Sequence, residues 1–85
     1  MNLTGIINVG VVEGPSLREL IEASIERTIC VFKLSNDVWL EGFADKIQHE
    51  KDEAIVLLHN VLDGRRYSIL YDVRTRKGRI MDILK

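Results

Sequence analysis

Four cations, Arg74, Arg76, Lys77 and Arg79, crowd into six residues of an 85-residue chain. Guanidinium and ammonium groups at that density draw phosphate oxygens, and the backbone of a single-stranded nucleic acid offers those in series. Trp39 supplies a second element of such a site. Its ring can stack on a base, a contact worth roughly 1–3 kcal/mol and tolerant of base identity. Each feature also has a plainer reading. The arginines can decorate an exposed hairpin, and a single tryptophan can cover a core edge or anchor an interface. Phe43, farther along the same segment, is expected in the core.

The remaining reactive residue types do not assemble into a known chemistry. His49 stands near Glu50, Asp52 and Glu53, but a hard-ion loop needs oxygen ligands at set spacings that this run lacks. A solvated tip is expected there, with no metal. His59 ends an apolar run and is expected to hydrogen-bond at a strand end. Cys30, between Ile29 and Val31, is expected to be a buried, inert thiol. No serine or cysteine has a histidine partner by motif, and no glycine-rich phosphate loop occurs. The expectation is a binding protein, not an enzyme, with no cofactor.

Composition narrows the partners. Hydrophobic residues make up 46% and charged residues 29% of the chain, a soluble balance. The net charge of −1 hides a split. Residues 65–85 carry seven Lys/Arg against two acids, while residues 1–64 carry five against eleven. A slightly acidic protein can therefore still present a local anion site. No apolar run approaches the roughly 20 residues of a membrane helix, and the start of the chain lacks the pattern of a signal peptide. One unpaired cysteine fits the reducing cytosol. A domain of this size buries only about 60–65% of its unfolded surface. Without disulfides or metal, self-association is its expected supplement.

The elements that would position these residues are readable as one domain over 1–85. Residues 1–14 are apolar and β-branched with glycines at 5, 10 and 14. They read as a short strand or extended arm, closing the sheet of its own subunit or lying on a neighbour. The segment 15–27 opens on Pro15 and predicts a helix over 16–27, with Ser16 and Glu19 at capping-box spacing. Leu17, Leu20, Ile21, Ser24 and Ile25 make its inward stripe. From residue 28 the period changes to two. "TICVFKL" has apolar residues on both faces and reads as a strand covered on both sides. Asn36-Asp37 turns the chain, and Gly42 marks a bend or bulge. "QHEKDE" is a solvated tip, "AIVLLHNV" a third strand and Asp63-Gly64 a hairpin turn. "RRYSILYDV" and "RIMDIL" finish the chain around "RTRKG". A helix followed by five short, bent antiparallel strands is expected to close into a small barrel over 28–85, since closure removes bare edges.

This plan, and the stretch "PSLRELIEASIERTICVFKLSNDVWLEGF", resembles the Sm-like family and its bacterial Hfq branch. The matching positions are Pro15, Leu17, Leu20, Leu34, Asn36, Val38, Leu40 and Gly42. "IVLLHN" resembles that branch's third strand. The chain departs from the family in a longer loop after the second strand, in Tyr71-Asp72-Val73 where the Hfq branch has Tyr-Lys-His, and in Lys77-Gly78 as a loose echo of the Sm Arg-Gly pair. Divergence of this kind fits a virus or mobile-element source. The resemblance implies a homo-oligomeric ring built by pairing the fourth strand of one subunit with the fifth of the next. Tyr67, Ile69, Tyr71, Ile80 and Ile83 would line those edges. It also implies single-stranded RNA at the pore, held by Arg74, Arg76, Lys77 and Arg79, with Trp39 as a stacking contact. The same barrel without RNA would be a protein-interaction or structural assembly module.

Overall fold

The computed structural model describes residues 11–34 and 37–84. Most of the predicted arm (1–10), Asn36 of the predicted turn with Ser35 before it, and Lys85 lie outside the described residues.

Helix α1 (Leu17–Glu26) begins as its sequence dictates. The Ser16 hydroxyl accepts the backbone N–H of Glu19 at 3.2 Å, and the Glu19 carboxylate accepts the Ser16 N–H at 3.3 Å. Both bonds satisfy donors that a helix start leaves free. The helix ends at Arg27, whose left-handed φ of 59° turns the chain toward the sheet. Ser16→Ala is expected to lower stability by about 1 kcal/mol in a urea titration. The inward stripe is narrower than predicted. Leu20 is buried and Ser24 donates to the Ala44 carbonyl at 2.9 Å, whereas Ile21 and Ile25 face outward.

The chain then forms β2 (Cys30–Leu34), β3 (Trp39–Glu50), β4 (Glu53–Asn60), β5 (Arg66–Asp72) and β6 (Lys77–Leu84). Each pairs antiparallel with the next. A further strand, β1 (Val12–Glu13), lies between β2 and β6 and closes the barrel. It is an addition to the five strands expected from the sequence, and it is the end of the arm. Val12 sits opposite both Leu34 and Gly78, and Glu13 opposite both Lys33 and Lys77. The predicted tip at 48–53 shrinks to a turn at Lys51-Asp52, because β3 runs on to Glu50.

Strand alternation decides what is inside. Cys30, Phe32 and Leu34 point into the barrel, while Val31 and Lys33 point out. The expected cover on both faces of β2 is therefore not supplied by the described residues. Phe32 meets Tyr71 edge to face at 5.7 Å between ring centroids, a favoured aromatic geometry. The Tyr71 hydroxyl donates to the Pro15 carbonyl at 2.6 Å, which ties the helix start to the barrel.

The predicted bend at Gly42 is displaced. The ladder between β3 and β4 shifts register between Ala44 and Lys46, so Asp45 is the extra residue of a bulge. Gly42 serves close packing instead, since a Cβ there would sit 1.8 Å from the His59 carbonyl oxygen.

Candidate interaction surface

The predicted cations separate. In the turn after β5, Asp72 Oδ1 accepts the N–H groups of Arg74 at 2.9 Å and Thr75 at 3.3 Å. The Arg74 guanidinium lies 3.3 Å from Asp72 Oδ2 and 3.6 Å from Asp52 Oδ2. The Arg74 hydrogen bonds hold the Asp72 carboxyl below the usual carboxylate range, since they favour its charged form. Arg74 is thus shared between two carboxylates. Arg76 adopts a left-handed φ of 62° and donates from Nε to the Gly14 carbonyl at 3.3 Å. Its own carbonyl accepts the Gly14 N–H at 3.1 Å. Arg76 therefore pins β1 in place.

Lys77 and Arg79 are exposed on the outer face of β6, with no ion pair among the described residues. The register carries them toward Trp39. Trp39 pairs across from Lys33, Lys33 from Glu13, and Glu13 from Lys77. Residues opposite one another share a face, so this row crosses the outer surface over four strands, about 14 Å at the usual strand spacing. Lys33 Nζ sits 5.9 Å from the Trp39 ring centroid and 3.5 Å from Asp37. The structure brings together Trp39, Lys77 and Arg79, adds Lys33, and takes Arg74 and Arg76 into internal contacts.

The side chains expected at subunit edges line the chain's own barrel. Tyr67, Ile69 and Tyr71 are fully buried and Ile80 nearly so, inside the chain's own barrel. Ile83 is half-buried against the same core. Strand β5 is paired on one side with β4 and on the other with β6. The tight turn at 73–76 folds β6 back on β5, which occupies the edge that a neighbour would need.

Apolar surface appears elsewhere. Val31 lies opposite Glu41, and the Glu41 carbonyl accepts the Val61 N–H at 2.7 Å, so Val31, Glu41 and Val61 run side by side. Ile29 (51% exposed) and Trp39 (46%) flank Val31 (45%) and Glu41 two residues along the chain, and exposed Leu62 (62%) follows Val61 (45%) just past β4. Glu41 has no cation within ion-pair reach among the described residues. Phe43, predicted in the core, lies half-buried on this outer face with the Arg27 guanidinium 5.3 Å from its ring centroid.

Sequence reasoning missed the cluster around Asp45. The bulge aims its carboxylate at Arg27 (3.5 Å), Arg66 (3.8 Å) and His59 (3.9 Å). Register alone creates that meeting, and no local motif announces it. Cys30 is buried, and burial pushes its thiol up. Among the described residues no His, Cys, Asp and Glu side chains gather closely enough to hold a metal, and no helix is long and apolar enough to cross a membrane.

Comparison with family models, curated proteins and solved structures returned no match.

Proposed function

We propose that the protein is a homo-oligomeric barrel of Sm-like plan that acts as an assembly and protein-interaction module, docking through the outer face of β2 and β3. The observation that supports this reading is the gathering of Ile29, Val31, Trp39, Val61 and Leu62 around Glu41 on one exposed surface. The largest exposed apolar patch on a small protein, usually about 300–600 Å², is often its functional surface. The loss of Arg74 and Arg76 to internal partners weighs on the same side.

Single-stranded RNA binding is the second reading: Trp39, Lys33 and Lys77 favour it, with Arg79 beside them, while Glu13 in the middle of the row opposes it. It competes with the first for Trp39 and Lys33. Salt separates them. Association through apolar surface persists or strengthens in sulfate, whereas phosphate binding weakens steeply with ionic strength. A fluorescent uridine-rich oligomer titrated at about 0.15 M salt is expected to bind no more tightly than about 100 µM, the weak end of non-specific contact. Binding tighter than about 1 µM at that salt, weakening as salt rises and falling about tenfold or more in Lys77→Glu/Arg79→Glu, would instead establish the RNA reading.

A further inference from the structure

We infer that the occupant of the β2–β3 face is a second copy of this chain, seated about a two-fold axis so that Lys33 of each subunit meets Glu41 of the other. This rests on the reading that the face docks a partner, and it specifies the partner and the geometry.

Three observations carry it. The first is size. Four aliphatic side chains and an indole, each near half exposure, leave on the order of 350–500 Å² of apolar surface. A standard interface buries about 800 Å² per partner, a little over half of it apolar. The patch supplies the apolar centre that such an interface needs.

The second is charge. Glu41 stands between exposed Val31 and Val61 and forms no ion pair among the described residues, the nearby Lys33 being turned toward Asp37. A carboxylate covered by a partner must be given a counter-charge or it strongly opposes docking. Lys33 is its diagonal neighbour on the same face, about 7–8 Å away. A two-fold axis brings residue i of one copy to residue j of the other and j to i. The face therefore completes itself. Each Glu41 gains a Lys33, and the exposed pair of Lys33 with Asp37, weak in water, is exchanged for a covered one.

The third is topology. A ring made by pairing β5 of one subunit with β6 of the next needs β5 to have a bare edge, and β5 has strands on both sides. A face-to-face contact leaves the barrel intact.

The test is sedimentation equilibrium or native mass spectrometry of the full chain, with circular dichroism confirming that each variant is folded. Wild type is expected to dimerise. Lys33→Glu alone and Glu41→Lys alone should each weaken the dimer by tenfold or more, because both contacts in the pair become like-charged. The double variant should return to within about threefold of wild type, since the pair is restored in reverse. A dimer that neither single variant weakens, or that the double variant does not restore, overturns the inference while self-assembly stands. A larger ring also overturns it and leaves the assembly reading in place. A monomer at every accessible concentration removes self-association from both.

Discussion

Alanine in place of Gly42 is expected to destroy the folded barrel, or to leave it roughly 3–5 kcal/mol less stable. A Cβ at this position would stand 1.8 Å from the His59 carbonyl oxygen and 2.6 Å from its carbon. Both atoms belong to the backbone of β4, held in the ladder by the pairs Gly42 with Asn60 and Phe43 with His59. No rotamer change relieves the clash. The strands must separate, and with them the turn that Asn60 organises by accepting the Glu41 N–H at 3.0 Å. Gly64→Ala is the control. Gly64 has a φ of 73° with open space around it, so its substitution adds only left-handed strain, about 1–2 kcal/mol. Urea titration of both variants separates the two mechanisms. A Gly42 variant as stable as wild type would mean that β3 and β4 are not so closely apposed.

The second large effect is alkaline unfolding. Burial is the main cause that pushes the Tyr67 and Tyr71 hydroxyls up to about 12. Tyr67 also donates to the Asp63 carboxylate, which further opposes its ionisation. An unfolded tyrosine titrates near 10. The fold binds the neutral phenol, so its stabilisation is whole below about pH 10 and is lost as the pH rises through about 12. The gap between the folded and unfolded values corresponds to roughly 2–3 kcal/mol per ring. Both together come to at most about 4–6 kcal/mol, comparable with the low end of a small domain's total stability of about 5–15 kcal/mol. Circular dichroism is expected to be constant from about pH 7 to pH 9.5 and to collapse cooperatively above about pH 11, with phenolate absorbance rising in the same transition. Phenolate appearing near pH 10 in a still-folded protein would mean that these rings are open to water, as edge residues would be.

The two tyrosines also show how far sequence reasoning reaches. Tyr67, Ile69 and Tyr71 alternate with polar or less buried positions, and that period correctly makes β5 a strand with one buried face. Whether the face is covered by its own chain or by a neighbour is a question of closure, which depends on β1 and on the turn at 73–76. The turn was legible: "RTRKG" is too short to do anything but fold β6 back. Capping at Ser16 and Glu19 was legible because it is local. The outer face of β2 misled for the opposite reason. Ile29 and Val31 look like residues covered on both sides, yet within the chain they are exposed. Apolar character reports a need for cover and does not name what provides it. Asp45 was illegible because its partners come from the helix end, β4 and β5. The internal capture of Arg74 had a local signal in Asp72 two residues before it, in the side-chain turn that aspartate forms readily.

Methyl and indole NMR on dilution tests the central claim most directly. Between about 1 mM and 10 µM, a range spanning the affinities expected of a modest interface, signals of Ile29, Val31, Trp39, Val61 and Leu62 should shift together, while those of Ile69 and Ile80 stay fixed. Shifts confined to β5 and β6, or unchanged spectra from a protein that sediments as a monomer over the same range, would contradict it.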